Sequence, residues 1–128
     1  MKDTYSDFSV AASILPAVQS ATASGTAVDL QGYNSALLVI NTGAIASSGL
    51  YDIKLQESDT TTDGDFADVA AADLLGSLPA GLAADTVYRQ GYVGNKRYVR
   101  AVITKQSGTS IAAGAVIVRG HPFDAPVA

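Results

Sequence analysis

The chain has 128 residues, a length suited to one domain that buries roughly two-thirds of its unfolded surface. It has no cysteine, which excludes disulfides, thiolate metal sites and cysteine nucleophiles. Hydrophobic residues make up 48% of it and charged residues only 16%, too apolar a mixture for disorder, and the net charge of −4 opposes binding to a phosphate backbone.

The opening, Met1 to Ser6, lacks the basic segment and apolar run of a signal peptide. No stretch of 18 apolar residues predicts a membrane span, so the chain is expected to be made in a cytoplasm. Residues 1–24 read as a loose arm with one strand from Val10 to Leu15, which Pro16 ends or places on a sheet edge. Gln19 to Thr26 reads as a loop, Ala27 to Leu30 as a short strand, and Gln31 to Asn34 as a turn.

Ser35 to Asn41 is apolar on both faces through Ala36-Leu37-Leu38-Val39-Ile40, which predicts a central strand covered by its neighbours. A turn-rich stretch runs from Thr42 to Gly49. From Tyr51 to Glu57 the pattern alternates, with Tyr51, Ile53 and Leu55 on one face of a half-buried strand. Asp63-Gly64 suits a hairpin tip with positive φ, and Phe66 to Val69 a short return strand. Ala70 to Leu78 suits one helical turn ended near Gly76 and Pro79, and residues 79–85 a loop.

Val87 to Val93 and Arg97 to Thr104 are strands joined at Gly94-Asn95-Lys96. In the first, Tyr88 and Tyr92 share a face; in the second, Tyr98, Arg100 and Val102 oppose Val99, Ala101 and Ile103. A last strand spans Ile111 to Arg119. The tail from Gly120 to Pro126 is read as unable to continue a ladder, because its prolines lack donors. The sum is an all-β chain: an antiparallel β-sandwich or jelly-roll-like barrel of about seven to eight strands with flexible N- and C-terminal arms. The core is placed at 25–120, with 1–24 an arm and edge strand and 121–128 a tail. No convincing helix of ten or more residues remains, which excludes the βαβ nucleotide folds.

Charge is unevenly placed. Residues 1–85 hold eleven of the 12 acids, and residues 86–128 hold six of the 8 bases. This polarity orients the protein on a partner or pairs copies head to tail, unless strands from the two halves interleave and cancel it.

Few constellations suit chemistry. Asp59, Asp63, Asp65 and Asp68 suggest calcium, but a twelve-residue loop starting at Asp59 puts Ala70 where the bidentate glutamate belongs. No metal or cofactor is assigned. His121, the single histidine, has Asp124 near it in sequence but no nucleophile elbow before it. Gly91-Tyr92-Val93-Gly94 is hairpin chemistry, since no helix follows it to cradle a phosphate. Arg89, Tyr92, Lys96, Arg97 and Arg100 combine bases with an aromatic. In an acidic chain this mixture points to a protein interface or to internal ion pairs rather than to nucleic acid.

Three segments resemble small proteins encoded among the head genes of tailed phages. They are Val28-Asp29-Leu30-Gln31-Gly32-Tyr33-Asn34-Ser35-Ala36; Leu55-Gln56-Glu57-Ser58-Asp59 with Phe66-Ala67-Asp68-Val69; and Tyr92-Val93-Gly94-Asn95-Lys96-Arg97-Tyr98-Val99-Arg100. The likeness spans most of residues 25–120, and none of its motifs is catalytic. It implies a non-enzymatic virion structural protein of the capsid decoration, or cement, type. Such a protein sits on the outer capsid surface, binds the major capsid protein and stabilises the head by bridging its subunits. By the same analogy it self-associates, as a trimer on local three-fold positions; the acidic chain and the lack of a long apolar run separately predict contact with neither nucleic acid nor membrane. A head–tail connector or tail-associated protein is the alternative, and a carbohydrate-binding module a further one, disfavoured by the lack of tryptophan.

Overall fold

The computed structural model describes residues 1–126. Ten strands form: β1 (Ser9–Gln19), β2 (Ala23–Ser24), β3 (Val28–Asp29), β4 (Tyr33–Ala46), β5 (Leu50–Ser58), β6 (Ala67–Asp68), β7 (Leu74–Leu75), β8 (Val87–Tyr92), β9 (Tyr98–Ser107) and β10 (Ser110–Pro122). The helices among the described residues are single 3-10 turns at Tyr5–Asp7, Asp63–Asp65 and Ala71–Asp73. One sheet, called A here, has the order β1-β10-β4-β8-β7. The other, B, has the order β2-β9-β5-β6, with β3 also paired to β9.

Every pairing is antiparallel. β2 and β3 line the same side of β9 and act as one interrupted strand, and β7 is a short extension beside β8. Counted that way, the chain alternates between sheets at every step except the β5–β6 hairpin. This is the winding of an eight-stranded jelly roll, so the β-sandwich expected from the alternating strands is the fold observed.

The core lies where the inner faces meet. Leu38 and Ile40 of β4 and Ile111 and Ile117 of β10 project from sheet A; Tyr51, Ile53 and Leu55 of β5 and Val99, Ala101 and Ile103 of β9 project from sheet B. Burying each large side chain contributes about 1.5–3 kcal/mol. Tyr51 is fully buried, and its hydroxyl donates to the Thr109 carbonyl at 2.9 Å, so no polar atom of it is stranded.

The sheets are tied at the β1 side by a bulge. Ser13 is the extra residue between Ala12, opposite Val116, and Ile14, opposite Ala115. A bulge re-aims a side chain, and here it turns Ser13 toward sheet B. The Ser13 Oγ donates to the Thr26 carbonyl and accepts from the Ala101 N–H, both at 2.9 Å. The chain passes so close at Gly25 that a Cβ there would lie 2.6 Å from the Ser13 carbonyl oxygen and 2.7 Å from that of Ala101.

Several local expectations are corrected. β1 runs past Leu15 to Gln19, so Pro16 does not end it; the other placement expected for Pro16, a sheet edge, is the one observed, at a second bulge where a missing donor costs little. β4 continues to Ala46 through the stretch read as a turn. Gly64 is absent from the positive-φ residues, because Asp63–Asp65 closes as a 3-10 turn instead. β10 extends to Pro122, which aligns with Tyr33, and the Phe123 N–H then donates to the Gly32 carbonyl at 2.8 Å. Residues 121–123 are therefore held against β4 and the turn before it, and 127–128 lie outside the described residues.

Candidate functional site

The five residues singled out from sequence do not form one patch. β8 turns Tyr88, Gln90 and Tyr92 toward the core, which leaves Arg89 exposed on the outer face of sheet A opposite Val39. Tyr92 is buried; its hydroxyl donates to Glu57 Oε1 at 2.7 Å and accepts from the Lys96 N–H at 3.1 Å. Burial, reinforced by the Glu57 carboxylate, pushes the phenol pKa well above its ordinary value. Lys96 and Arg97 lie in the β8–β9 connection, where Lys96 pairs with Asp59 and Arg97 pairs bidentately with Asp29, each closest contact being 2.9 Å.

Arg100 lies on the outer face of sheet B. It bonds Gln56 Oε1 through two nitrogens, pairs with Asp63 at 2.6 Å and stacks 4.2 Å from the Phe66 ring centroid. Three bases of the C-terminal half are thus matched to carboxylates of the N-terminal half, and interleaving consumes much of the charge polarity. The same contacts join the three resembling segments to one another: Tyr92 to Glu57, Lys96 to Asp59, Arg97 to Asp29 and Arg100 to Gln56. Those contacts hold the segments together across the sandwich.

The aspartates are engaged singly. Besides the pairs of Asp59 and Asp63, Asp65 accepts from the Thr60 hydroxyl at 2.7 Å, and Asp68 takes Lys54 and Gln56. Among the described residues no three ligating side chains converge. His121 Nδ1 lies 2.9 Å from Ser35 Oγ on the surface, but no carboxylate among the described residues bonds the ring to orient it. An open cleft of about 480 Å³ at the sandwich end, lined by Tyr33, Asn34, Asn95, Lys96 and Phe123 among others, holds bases already paired.

The surface that stands out was not among the sequence candidates. The two outer faces differ in chemistry. Sheet B presents Asp52, Lys54, Gln56, Arg100 and Thr104, a polar face laced with hydrogen bonds. Sheet A presents Val10 and Val18 from β1, Leu37 and Val39 from β4, Val116 and Val118 from β10, and Val87 from β8. Val18 is 69% exposed, Val87 65% and neighbouring Leu75 60%. Arg89 is the charged side chain on this face, and no ion pair holds it among the described residues.

Two shallow troughs cross the same face. One, of about 620 Å³, runs between Pro16, Val18, Val39 and Val116 over a floor that includes Gly43 and Gly114. The other, of about 240 Å³, lies by Leu37, Leu75, Gly91 and Val118. The signal for this surface was present in sequence. Ala36–Ile40 and Ile111–Val118 are apolar on both faces, the pattern of strands covered on both sides. The sandwich covers only the inner side.

No family model matches the chain, and no curated protein matches it. Among solved structures it is similar to a chain of the structure of infectious bursal disease virus Gx strain, at 14% identity and a TM-score of 0.43. The match covers 93% of this chain and 34% of that one, so this chain spans about a third of the solved chain's length. A likeness at that distance assigns no activity or partner.

Proposed function

We propose that this chain is a virion structural protein, a decoration protein that binds the outside of an assembled tailed-phage head and holds neighbouring major capsid subunits together. The observation that carries the reading is the apolar outer face of sheet A. A contiguous apolar face of this kind is often an interaction surface, and a protein that works inside an assembly has a use for it. The order of the three resembling segments supports the choice of assembly. The jelly roll is compatible with it, although a fold by itself does not fix a function.

No reaction is assigned, and the action is passive. Each copy that binds only the assembled lattice shifts the equilibrium toward that lattice. Many modest contacts, repeated around the shell, then resist its opening. Cosedimentation tests the reading: purified full-length protein is mixed with assembled heads of the phage that encodes it. Saturable pelleting with the heads is expected, and protein that stays in the supernatant at every ratio overturns the proposal.

A further inference from the structure

We infer that Asp63-Gly64 is a site of spontaneous covalent modification, at which aspartate isomerises to isoaspartate through a cyclic imide, and that Arg100 gates the reaction by tying this turn to sheet B.

The chemistry begins in the sequence. A carboxyl side chain is open to attack by the backbone nitrogen of the next residue, most of all where that residue is glycine and no Cβ crowds the approach. Of the aspartates only Asp63 precedes a glycine, and no asparagine does. The place is also open to water. The Asp63 side chain is 85% exposed, and a Cβ added at Gly64 would meet nothing within 4 Å.

In the first step the Gly64 nitrogen bonds to Asp63 Cγ. The hydroxyl of the protonated carboxyl leaves with the nitrogen's proton as one water, and a five-membered succinimide closes. One water then adds back. Cleavage of the bond from nitrogen to Cγ restores aspartate. Cleavage of the bond from nitrogen to the Asp63 main-chain carbonyl carbon leaves the chain running through Cβ and Cγ, with the α-carboxylate as the side group. Mass is conserved, and water is the only co-reactant.

The folded turn holds the reacting groups apart in two ways. Asp63–Asp65 is a 3-10 turn, closed by the Asp65 N–H on the Thr62 carbonyl at 3.0 Å and the Phe66 N–H on the Asp63 carbonyl at 3.3 Å. Such a turn keeps ψ at about −20 to −30°, and ring closure needs the peptide plane swung well away from that range. The second restraint is Arg100, which donates to Asp63 Oδ1 at 2.6 Å. Arg100 is itself buried and fixed, with two nitrogens on Gln56 Oε1 and the Phe66 ring centroid 4.2 Å away. Reaction therefore waits on a local opening of the turn rather than on global unfolding. The product has one more main-chain carbon at residue 63, so neither the turn nor the Arg100 pair re-forms as it was.

The test is peptide mapping of purified full-length protein kept in warm neutral buffer over several weeks, with electron-transfer fragmentation to tell the isomers apart. Wild type, Gly64→Ala and Arg100→Lys are compared. Isoaspartate is expected to grow faster at residue 63 than at any other aspartate. Gly64→Ala keeps the fold, because its Cβ has open space and Gly64 is not among the positive-φ residues, and it slows the reaction several-fold. Arg100→Lys speeds it roughly two- to fivefold, the shift that one half-exposed ion pair gives a local opening equilibrium. Arg100 is buried, so circular dichroism checks the fold of that variant. Wild type unfolded in guanidinium chloride gives the ungated rate even if the variant does not fold, and that rate is expected to exceed the folded one. Isoaspartate no faster at residue 63 than elsewhere overturns the site. A Gly64→Ala rate equal to wild type overturns the ring closure, and equal rates in folded and unfolded wild type overturn the gate.

Discussion

Ser13→Ala removes one hydroxyl and asks how the jelly roll is closed on its β1 side. The hydroxyl serves the Ala101 N–H of sheet B and the Thr26 carbonyl, both at 2.9 Å. Ala101 is fully buried, so its N–H loses its partner with no water to replace it, at a cost of about 1–3 kcal/mol. The Thr26 carbonyl is less enclosed and adds about 0.5 kcal/mol at most. A loss of about 1–3.5 kcal/mol corresponds to a melting temperature lower by about 3–17 °C for a chain of this size. Urea unfolding followed by circular dichroism and tyrosine fluorescence measures it, with an unchanged slope showing that the same surface is exposed. A change below about 0.5 kcal/mol would place Ser13 among ordinary surface sites and refute the bridge. Gly25→Ala is the companion, since its Cβ meets backbone oxygens that cannot swing aside, and it destabilises at least as much.

Neighbouring residues of β4 separate the two sides of sheet A: Ile40→Ala costs about 2–5 kcal/mol in urea unfolding, whereas Val39→Ala, on the outer face, costs a monomer less than about 1 kcal/mol. Tyr92→Phe strips a donor from Glu57 and costs about 1–2 kcal/mol. Because the folded state holds the Tyr92 phenol protonated to higher pH than the unfolded chain does, its contribution is intact below about pH 10 and is lost as the pH rises beyond that; pH-dependent melting should show Tyr92→Phe losing less in the alkaline range than the wild type. The Asp29 carboxyl is held below its ordinary pKa by its hydrogen bond from Arg97, and that of Asp68 by Gln56 and then Lys54. Their stabilisation is therefore present above about pH 4 and fades as the pH falls, and Asp29→Asn flattens that acid limb while changing neutral stability by less than about 1 kcal/mol, since the pair is exposed.

The strands that face the core on one side and solvent on the other were legible, because period-two alternation states both sides at once. Tyr51, Ile53 and Leu55, and Val99, Ala101 and Ile103, point inward as their spacing requires. β4 and β10 were legible as strands but not for what covers them: a two-faced apolar run states only that both sides need cover, and the sandwich supplies one. Bulges leave no pattern, so nothing in Ala12-Ser13-Ile14 announced that Ser13 would cross to the other sheet. Of the prolines, Pro16 was legible as an edge residue, and Pro122 misled because it was assumed to cost the ladder a donor. Pro16 is tolerated on an edge and Pro122 at a strand's last residue, where the ladder demands least. The basic and aromatic mixture was legible as chemistry but not as location, because the carboxylates that answer it lie 35 to 68 residues away along the chain.

The most direct test of the account is the number of copies of this protein per major capsid protein in purified particles of the phage that encodes it, measured by quantitative mass spectrometry. The account predicts a ratio near one to one, as lattice decoration requires. A handful of copies per particle would move the protein to the connector or tail, and its absence from particles would contradict the virion role itself.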